Sequence, residues 1–322
     1  MSSEENLPKV AFLGPLGTYS HQCARNYFGE NVEYVDYSTI TKVFQSVGPE
    51  VPYALVPQEN TIYGAVIETY DTLRLPEVGV DKFVRGERAI SIQHCLVVRQ
   101  GVQLKDVVKI VSHEQAFGQC TRFLQDNFPN AILEKRPSTA EAAQSLLTPE
   151  DDLEGERAAI CSSVCTTIFD GLEVARSSIQ NESENYTRFY VLSTSLRSTP
   201  PKLPSKPQLR RALVRIGLPA ISNPSESSSR LTHHRPLHLL VSTLLTSLGV
   251  PVTRIDRRPS LNPVPFEDVY FIELEELGTP LEYRSKNASP SSVSEEAWLN
   301  KVQTGVDRVK SAGLDAALIG LW

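Results

Sequence analysis

Short apolar runs alternate with amphipathic stretches along the first two thirds of the chain. KVAFLG, VEYVDY and YALVPQEN read as strands, and SHQCARNYFG, TITKVFQSV and VIETYDTLRL read as the helices between and after them. This βαβα rhythm predicts a mostly parallel, doubly wound α/β sheet. A second unit of the same kind begins near Ala89. It runs through the strands AISIQHCLVVR and VVKIVSH, the helix QAFGQCTRFLQDNF, the strand AILEKRP, the helix TAEAAQSLL and the strand RAAICSS, then the helix TIFDGLEVA and the strand FYVLS. Two α/β lobes with a cleft between them follow, the last strand being free to return to the first lobe.

The pattern changes after RSTPPKLPSKPQ, residues 197–208, whose prolines at 200, 201, 204 and 207 block helix and central strand alike. This stretch reads as a stiff linker. Beyond it, over 209–322, come the strand RRALVRIGL, the helix HRPLHLLVSTLLTSLG, the strands VPVTRIDRRPS and EDVYFIELEEL, the helix SSVSEEAWLNKVQTGVDRVKSAG and the strand LDAALIGLW. The order βαββαβ is the ferredoxin-like arrangement. A Ser-rich polar insertion, 220–235, separates its first strand from its first helix and reads as a loop.

Composition narrows the class. With 322 residues, 40% hydrophobic content and a net charge of -6, the chain is long enough for two ordinary cores. No apolar run nears the roughly 18 residues that span a bilayer, and the start MSSEENLPK is acidic, so the expected compartment is the cytosol and no membrane partner is expected. Scattered lysines and arginines in a mildly acidic chain argue against a nucleic-acid surface. Five cysteines, an odd number confined to the first half, predict buried free thiols. Cys161 and Cys165 can share a helix face, but no further ligands follow at metal-site spacing, so no metal is expected.

Polar residues collect where the predicted strands end, and in open α/β sheets that is where ligands bind. GPLGT, residues 14–18, opens a helix. Its amides suit an anion, or it is a Gly-Pro turn capped by Thr18 or Ser20. It lacks the third glycine of a dinucleotide fingerprint. His21 and His113 each follow a Ser at a strand-to-helix turn, as caps or as catalysts. Glu59 and Asn60 follow YALVP, where they can orient a substrate hydroxyl or cap the next helix. The stretch ENYTRF places Thr187 and Arg188 at the lip of an apolar strand.

Taken in order and spacing, VAFLGPLGTYSHQCA, ALVPQENTIYGAVIETYDTL, VSHEQAFGQC, STAEAA, AAICSS and NYTRFYVL resemble the prephenate dehydratase family over nearly all of the first 195 residues. GVPVTRIDRRPS is similar to a segment of the ACT regulatory domain of that family, whose element order is also βαββαβ. The resemblance implies a two-lobed, periplasmic-binding-protein-like catalytic domain over 8–196, with lobe 1 about 8–88 and 176–196 and lobe 2 about 89–175. An ACT domain over 209–322 follows the linker.

The implied reaction is loss of carbon dioxide and water from prephenate to give phenylpyruvate, a step toward phenylalanine, with no cofactor. Arogenate dehydration and non-catalytic amino-acid sensing are the competing readings. The resemblance carries the catalytic threonine onto Thr187, in the TRF motif that Arg188 and Phe189 complete. Asn60 and Gln115 fall on positions expected to bind the polar groups of the substrate. Thr18, Ser20, Ser138 and Thr139 fall in turns suited to its carboxylates, and Glu59 is a proton source if burial raises its pKa. Arg188 either binds substrate or pairs with an acid. HEQ replaces the common HPQ, so Glu114 adds a charge beside Gln115.

In the regulatory half the resemblance implies phenylalanine as an allosteric ligand. Asp256 and Arg258 stand in for the acid and the arginine of the ESRP motif, and Arg257 replaces its serine. The GAL motif is absent, with HRPLHLL, including Leu237, in its place. A homodimer or tetramer is the expected assembly.

Overall fold

The computed structural model describes residues 7–148, 155–201, 210–219, 246–262, 264–276 and 295–322. The chain forms two compact units. One holds the described residues up to Thr69 together with Glu87–Val191. The other holds Tyr70–Gly86, Leu192–Pro200 and the described residues from 210 onward.

The first unit contains two sheets. In one, β1 (Lys9–Leu13) pairs in parallel with β2 (Glu33–Tyr37) and β3 (Tyr53–Asn60). Next to β3 lies β11 (Tyr186–Ser193), followed by the second half of β5 (Phe83–Ser91), and the short β4 (Gly64–Ala65) folds back on β3. The last strand has thus returned to the first lobe. Helices α1 (Tyr19–Phe28) and α2 (Ile40–Ser46) connect the first three strands, and Val10, Leu55, Phe189 and Val191 pack with Cys23, Ala24 and Phe28 of α1 in one core.

The other sheet has the order β10-β6-β9-β7-β8, from β10 (Leu172–Arg176), β6 (Cys95–Arg99), β9 (Glu156–Cys161), β7 (Val107–Ser112) and β8 (Ile132–Lys135). β7 runs parallel to β8 and β9, while β6 is antiparallel to β9 and β10. Helices α4 (Glu114–Gln119), α5 (Thr121–Asn127) and α6 (Thr139–Ser145) cover it, with apolar clusters on both faces.

Several elements differ from the sequence expectation, each for a local reason. AISIQHCLVVR is two strands. Its centre leaves the ladder because the Ile92 amide donates to the Asn185 carbonyl (2.7 Å) and the His94 amide to Gln180 Oε1 (3.0 Å). The helix expected over QAFGQCTRFLQDNF breaks at Cys120, whose φ of -118° lies outside the helical region. TIFDGLEVA is helical only in the single turn α7 (Cys165–Ile168). Gly171, at φ 89°, reverses the chain, and LEVAR then pairs with β6 as β10.

In the second unit the sheet order is β13-β14-β12-β15, from β12 (Arg211–Gly217), β13 (Val252–Pro259), β14 (Asp268–Glu275) and β15 (Asp315–Leu321), with β15 meeting the first half of β5 at Gly320↔Val84. Helix α8 (Glu295–Ser311) buries Trp298, Val302, Val306 and Val309, a stripe at helical spacing, against this sheet. Residues 70–86, expected in the first lobe, group here because α3 (Ile67–Leu73) and its sequel bond to β13 and β15. Tyr70 Oη donates to Asp256 (2.7 Å), Arg258 makes a two-pronged pair with Asp71 (2.8 and 3.1 Å), and Arg85 donates to the Leu321 carbonyl. Residues 246–248 are helical, but the rest of the helix expected before them lies outside the described residues. So do Leu237, the insertion 220–235 and most of the linker.

Candidate active site

The first unit contains a cavity of about 800 Å³, walled by residues from both of its sheets. Its polar character comes from where helices begin. Thr18 caps α1 by accepting from the His21 amide, and Thr39 caps α2 by accepting from the Lys42 amide. His113 Nδ1 accepts from the Gln115 amide at the start of α4, and Ser138 accepts from the Glu141 amide at the start of α6. All four caps line the cavity. Helix starts present unpaired amides and partial positive charge, which favour an anion. Among the described lining residues there is no lysine or arginine. The one carboxylate, Glu68, accepts from both the amide and the hydroxyl of Thr41 at 2.9 Å.

The start of α1 is held by His21. Its Nδ1 accepts from the Gly17 amide (3.2 Å), and its ring stacks on Phe12 with centroids 5.1 Å apart. Burial, followed by the nearby Arg25, lowers the His21 pKa to about 4, so the ring is neutral and acts as a fixed acceptor. Gly17 itself adopts φ 91°, and a Cβ there would sit 3.1 Å from Cys165 Sγ and 3.2 Å from Ala140 Cβ, so the turn packs closely against the second sheet's helices.

At the opposite wall, the side chains of β11 alternate between two faces. Thr187 and Phe189 line the cavity, and Arg188 points away from it. The Thr187 hydroxyl oxygen accepts from Asn60 Nδ2 at 3.0 Å. Asn60 is fixed in turn, since its Oδ1 accepts from the amides of Ile62 (2.9 Å) and Tyr63 (3.1 Å). Gln115, Thr18, Ser20, Ser138 and Thr139 also line the cavity, so these predicted positions are brought together.

Two are not. Arg188 binds Gln58 (2.9 Å), Glu59 (3.2 Å) and Glu87 (3.5 Å), and neither Glu59 nor Arg188 lines the cavity. Of the two readings of Arg188, pairing with an acid is the one seen here, with Glu59 and Glu87 as its partners, and Glu59, expected as a proton source, is held in that pair. Glu114 likewise leaves the site, pairing at the surface with Lys135 (2.6 Å), and this contact lowers its pKa. Asp256 and Arg258 lie in the other unit. Asp256 is held by Tyr70 and Arg254, and Arg258 by Asp71.

Sequence reasoning passed over Gln119, His94 and Asn185. Gln119 lies four residues after Gln115 and so on the same helix face, a spacing that signals it, while Asn185 is buried just before β11 and outside the cavity wall. His94 falls inside the run AISIQHCLVVR, whose strand-like pattern hides the break between β5 and β6 that brings it to the cavity.

The five cysteines are free and buried, as expected. Among the described residues no cluster of His, Cys, Asp and Glu is arranged to hold a metal, and no helix is long and apolar enough to cross a membrane.

Residues 10–196 match the family model for prephenate dehydratase. The chain is 29% identical over 273 residues to the bifunctional chorismate mutase/prephenate dehydratase of Escherichia coli (strain K12), covering 83% of this chain and 63% of that protein. It therefore spans less than two thirds of this relative's length. Its fold is similar to the prephenate dehydratase of Arthrobacter aurescens solved in complex with L-Phe, with a TM-score of 0.72, 24% identity and coverage of 97% and 89% of the two chains. It is also similar to GqqA, described as a novel type of quorum-quenching acylase, with a TM-score of 0.68, 21% identity and 97% of each chain covered. At such identities these two likenesses establish the fold alone. The matched motifs, the family model over more than half of the residues and the cavity that those motifs build agree: the chain belongs to the prephenate dehydratase family.

Proposed function

We propose that the chain catalyses the decarboxylating dehydration of prephenate to phenylpyruvate, carbon dioxide and water. The observation that carries this reading is the Thr187 hydroxyl, held by Asn60 on the wall of a cavity whose other walls are helix starts. Prephenate is a dianion, and four capped helix N-termini offer it amides and partial positive charge without a mobile cation. The ring carbon–carboxylate bond breaks, its electron pair enters the ring, and the ring carbon–oxygen bond breaks as the ring becomes aromatic. Hydroxide leaves and is protonated to water. A threonine hydroxyl is too weak an acid to surrender its proton outright. It assists by donating a hydrogen bond to the departing oxygen as charge develops there, and one preorganised donor of this kind is worth about 10²- to 10³-fold. The reading calls for no cofactor.

Prephenate is favoured over arogenate by the acid inventory. Arogenate carries an ammonium group, and Glu68, the one carboxylate among the described lining residues, is already bound by Thr41. Phenylpyruvate formation, read by its absorbance in alkali with prephenate and then with arogenate as substrate, tests the choice. Thr187→Val is expected to lose most of the turnover while remaining folded, and Thr187→Ser to retain part of it. A Val variant with wild-type kcat removes Thr187 from the mechanism.

Feedback control by phenylalanine, with Asp256 and Arg258 near the ligand, belongs to the same proposal, supported by the L-Phe bound to the Arthrobacter relative. So do a catalytic region over 8–196, a regulatory region over 209–322, a cytoplasmic setting suited to five free thiols, and a homodimer or tetramer. Asp256→Ala is expected to weaken phenylalanine binding measured at equilibrium, and absence of binding by the unaltered chain removes the regulatory part.

A further inference from the structure

A run of amides that begins on one side of the cavity wall and passes behind it has hydrogen-bond directions that follow from one another. Asn60 cannot reverse its amide, because its Oδ1 already receives two backbone N–H groups, and the Tyr186 carbonyl, which only accepts, faces its Nδ2. That Nδ2 donates its two hydrogens among three acceptors, Asn185 Oδ1 (2.9 Å), the Thr187 hydroxyl oxygen (3.0 Å) and the Tyr186 carbonyl (3.2 Å). Asn185, with no exposed surface, therefore presents its own Nδ2 in the other direction, and donates it to Gln119 Oε1 at 2.9 Å. The same Gln119 oxygen lies 2.6 Å from His94 Nε2. An amide oxygen only accepts, so His94 carries its proton on Nε2 and its Nδ1 is an acceptor facing Tyr19 Oη at 2.9 Å, whose single hydrogen is shared with the Gln93 carbonyl at 3.1 Å.

The consequence reaches Thr187. Its oxygen is occupied as an acceptor, and among the described residues its hydroxyl has no protein acceptor, so its hydrogen is left for a group inside the cavity. Asn185 is absent from the cavity wall, and its side chain is linked to the Thr187 hydroxyl through Asn60. It is therefore placed to act on the reaction without touching what reacts.

We propose that Asn185 is a positioning residue, which through the amide of Asn60 fixes the Thr187 hydroxyl as a donor toward the cavity, with Gln119 and His94 fixing Asn185 in turn. The inference rests on the catalytic reading of Thr187. It adds that a buried residue remote from the substrate sets the turnover rate while leaving affinity alone.

A double-mutant cycle on the full chain tests it, with kcat and KM for prephenate measured by phenylpyruvate formation and folding checked by thermal melting. Asn185→Ala is expected to lower kcat about tenfold to hundredfold, the scale of a misplaced catalytic group, with KM nearly unchanged. In the Thr187→Val background the same substitution is expected to change kcat hardly at all, because there is no hydroxyl left to orient. Asn185→Asp keeps an oxygen for Asn60 Nδ2 and is expected to recover part of the lost kcat. If Asn185→Ala lowers kcat by the same factor in both backgrounds, or raises KM with kcat intact, the positioning role is overturned. If Thr187→Val itself retains wild-type kcat, it is the reading of Thr187 that fails, an outcome the same cycle reports separately.

Discussion

Acidification below pH 6.5 should remove a defined part of the stability of the first unit through one residue, His21. In the folded chain its ring is packed on Phe12 and edge-on to Tyr34, 4% exposed, with Nδ1 already occupied by the Gly17 amide. Burial therefore disfavours the imidazolium, and the pKa falls from 6.5 to about 4. Between those values the unfolded chain binds a proton that the folded chain does not, so stability rises with pH across that window. At about 1.4 kcal/mol per pH unit, the interval corresponds to about 3 kcal/mol, fully present above pH 6.5 and lost progressively down to pH 4. The assay compares denaturant unfolding of the wild type and His21→Gln at several pH values between 4 and 7. Gln offers an acceptor to Gly17 without titrating, so subtracting the variant cancels the carboxylates that protonate in both proteins. The wild type is expected to lose about 3 kcal/mol relative to the variant on going from pH 7 to pH 4. A difference that stays constant across the range would refute the reasoning.

Three further outcomes follow from the geometry. Glu59→Gln should leave kcat and its pH profile as in the wild type, because Glu59 is committed to Arg188 behind the cavity wall, and a displaced profile would return Glu59 to the chemistry. Gly305→Ala in α8 should lower stability by about 1–3 kcal/mol despite the better helix propensity of alanine, since the added Cβ would meet the Leu248 carbonyl oxygen at 2.5 Å, and a raised denaturation midpoint would contradict this. Ser138→Ala should cost about 1 kcal/mol as the α6 cap is lost and should raise KM for prephenate, both measurable on one preparation.

Elements with a strong local period were legible in the sequence. KVAFL, YALVPQEN and VVKIVS became strands, and the helices opened by Thr18, Thr39 and Ser138 began at their caps. What was lost depended on partners distant in the chain. Nothing within AISIQHCLVVR announces that the Asn185 carbonyl and Gln180 will draw the Ile92 and His94 amides out of the ladder. LEVAR has no helical or strand signature strong enough to decide alone, and its pairing with β6 decides it. At the site, the alternation of a strand was enough to place Thr187 and Phe189 together and Arg188 opposite, yet the motif TRF invites reading all three as one group. For Glu59, proximity to Asn60 in sequence does not announce the ion pair with Arg188.

The helix starts around the cavity also bear on how durable its function is. Positive potential made from peptide groups has no proton to lose and no flexible stem to fold away. Reagents that acylate lysine or condense with arginine leave it intact, and alkaline solutions that discharge lysine do not weaken it. Replacement of one side chain at a time removes a cap but does not move the point where a helix begins. Attraction for an anion is thus written in the lengths of the loops that precede α1, α2, α4 and α6, and insertions or deletions in those loops, rather than point substitutions, are the changes able to erase it.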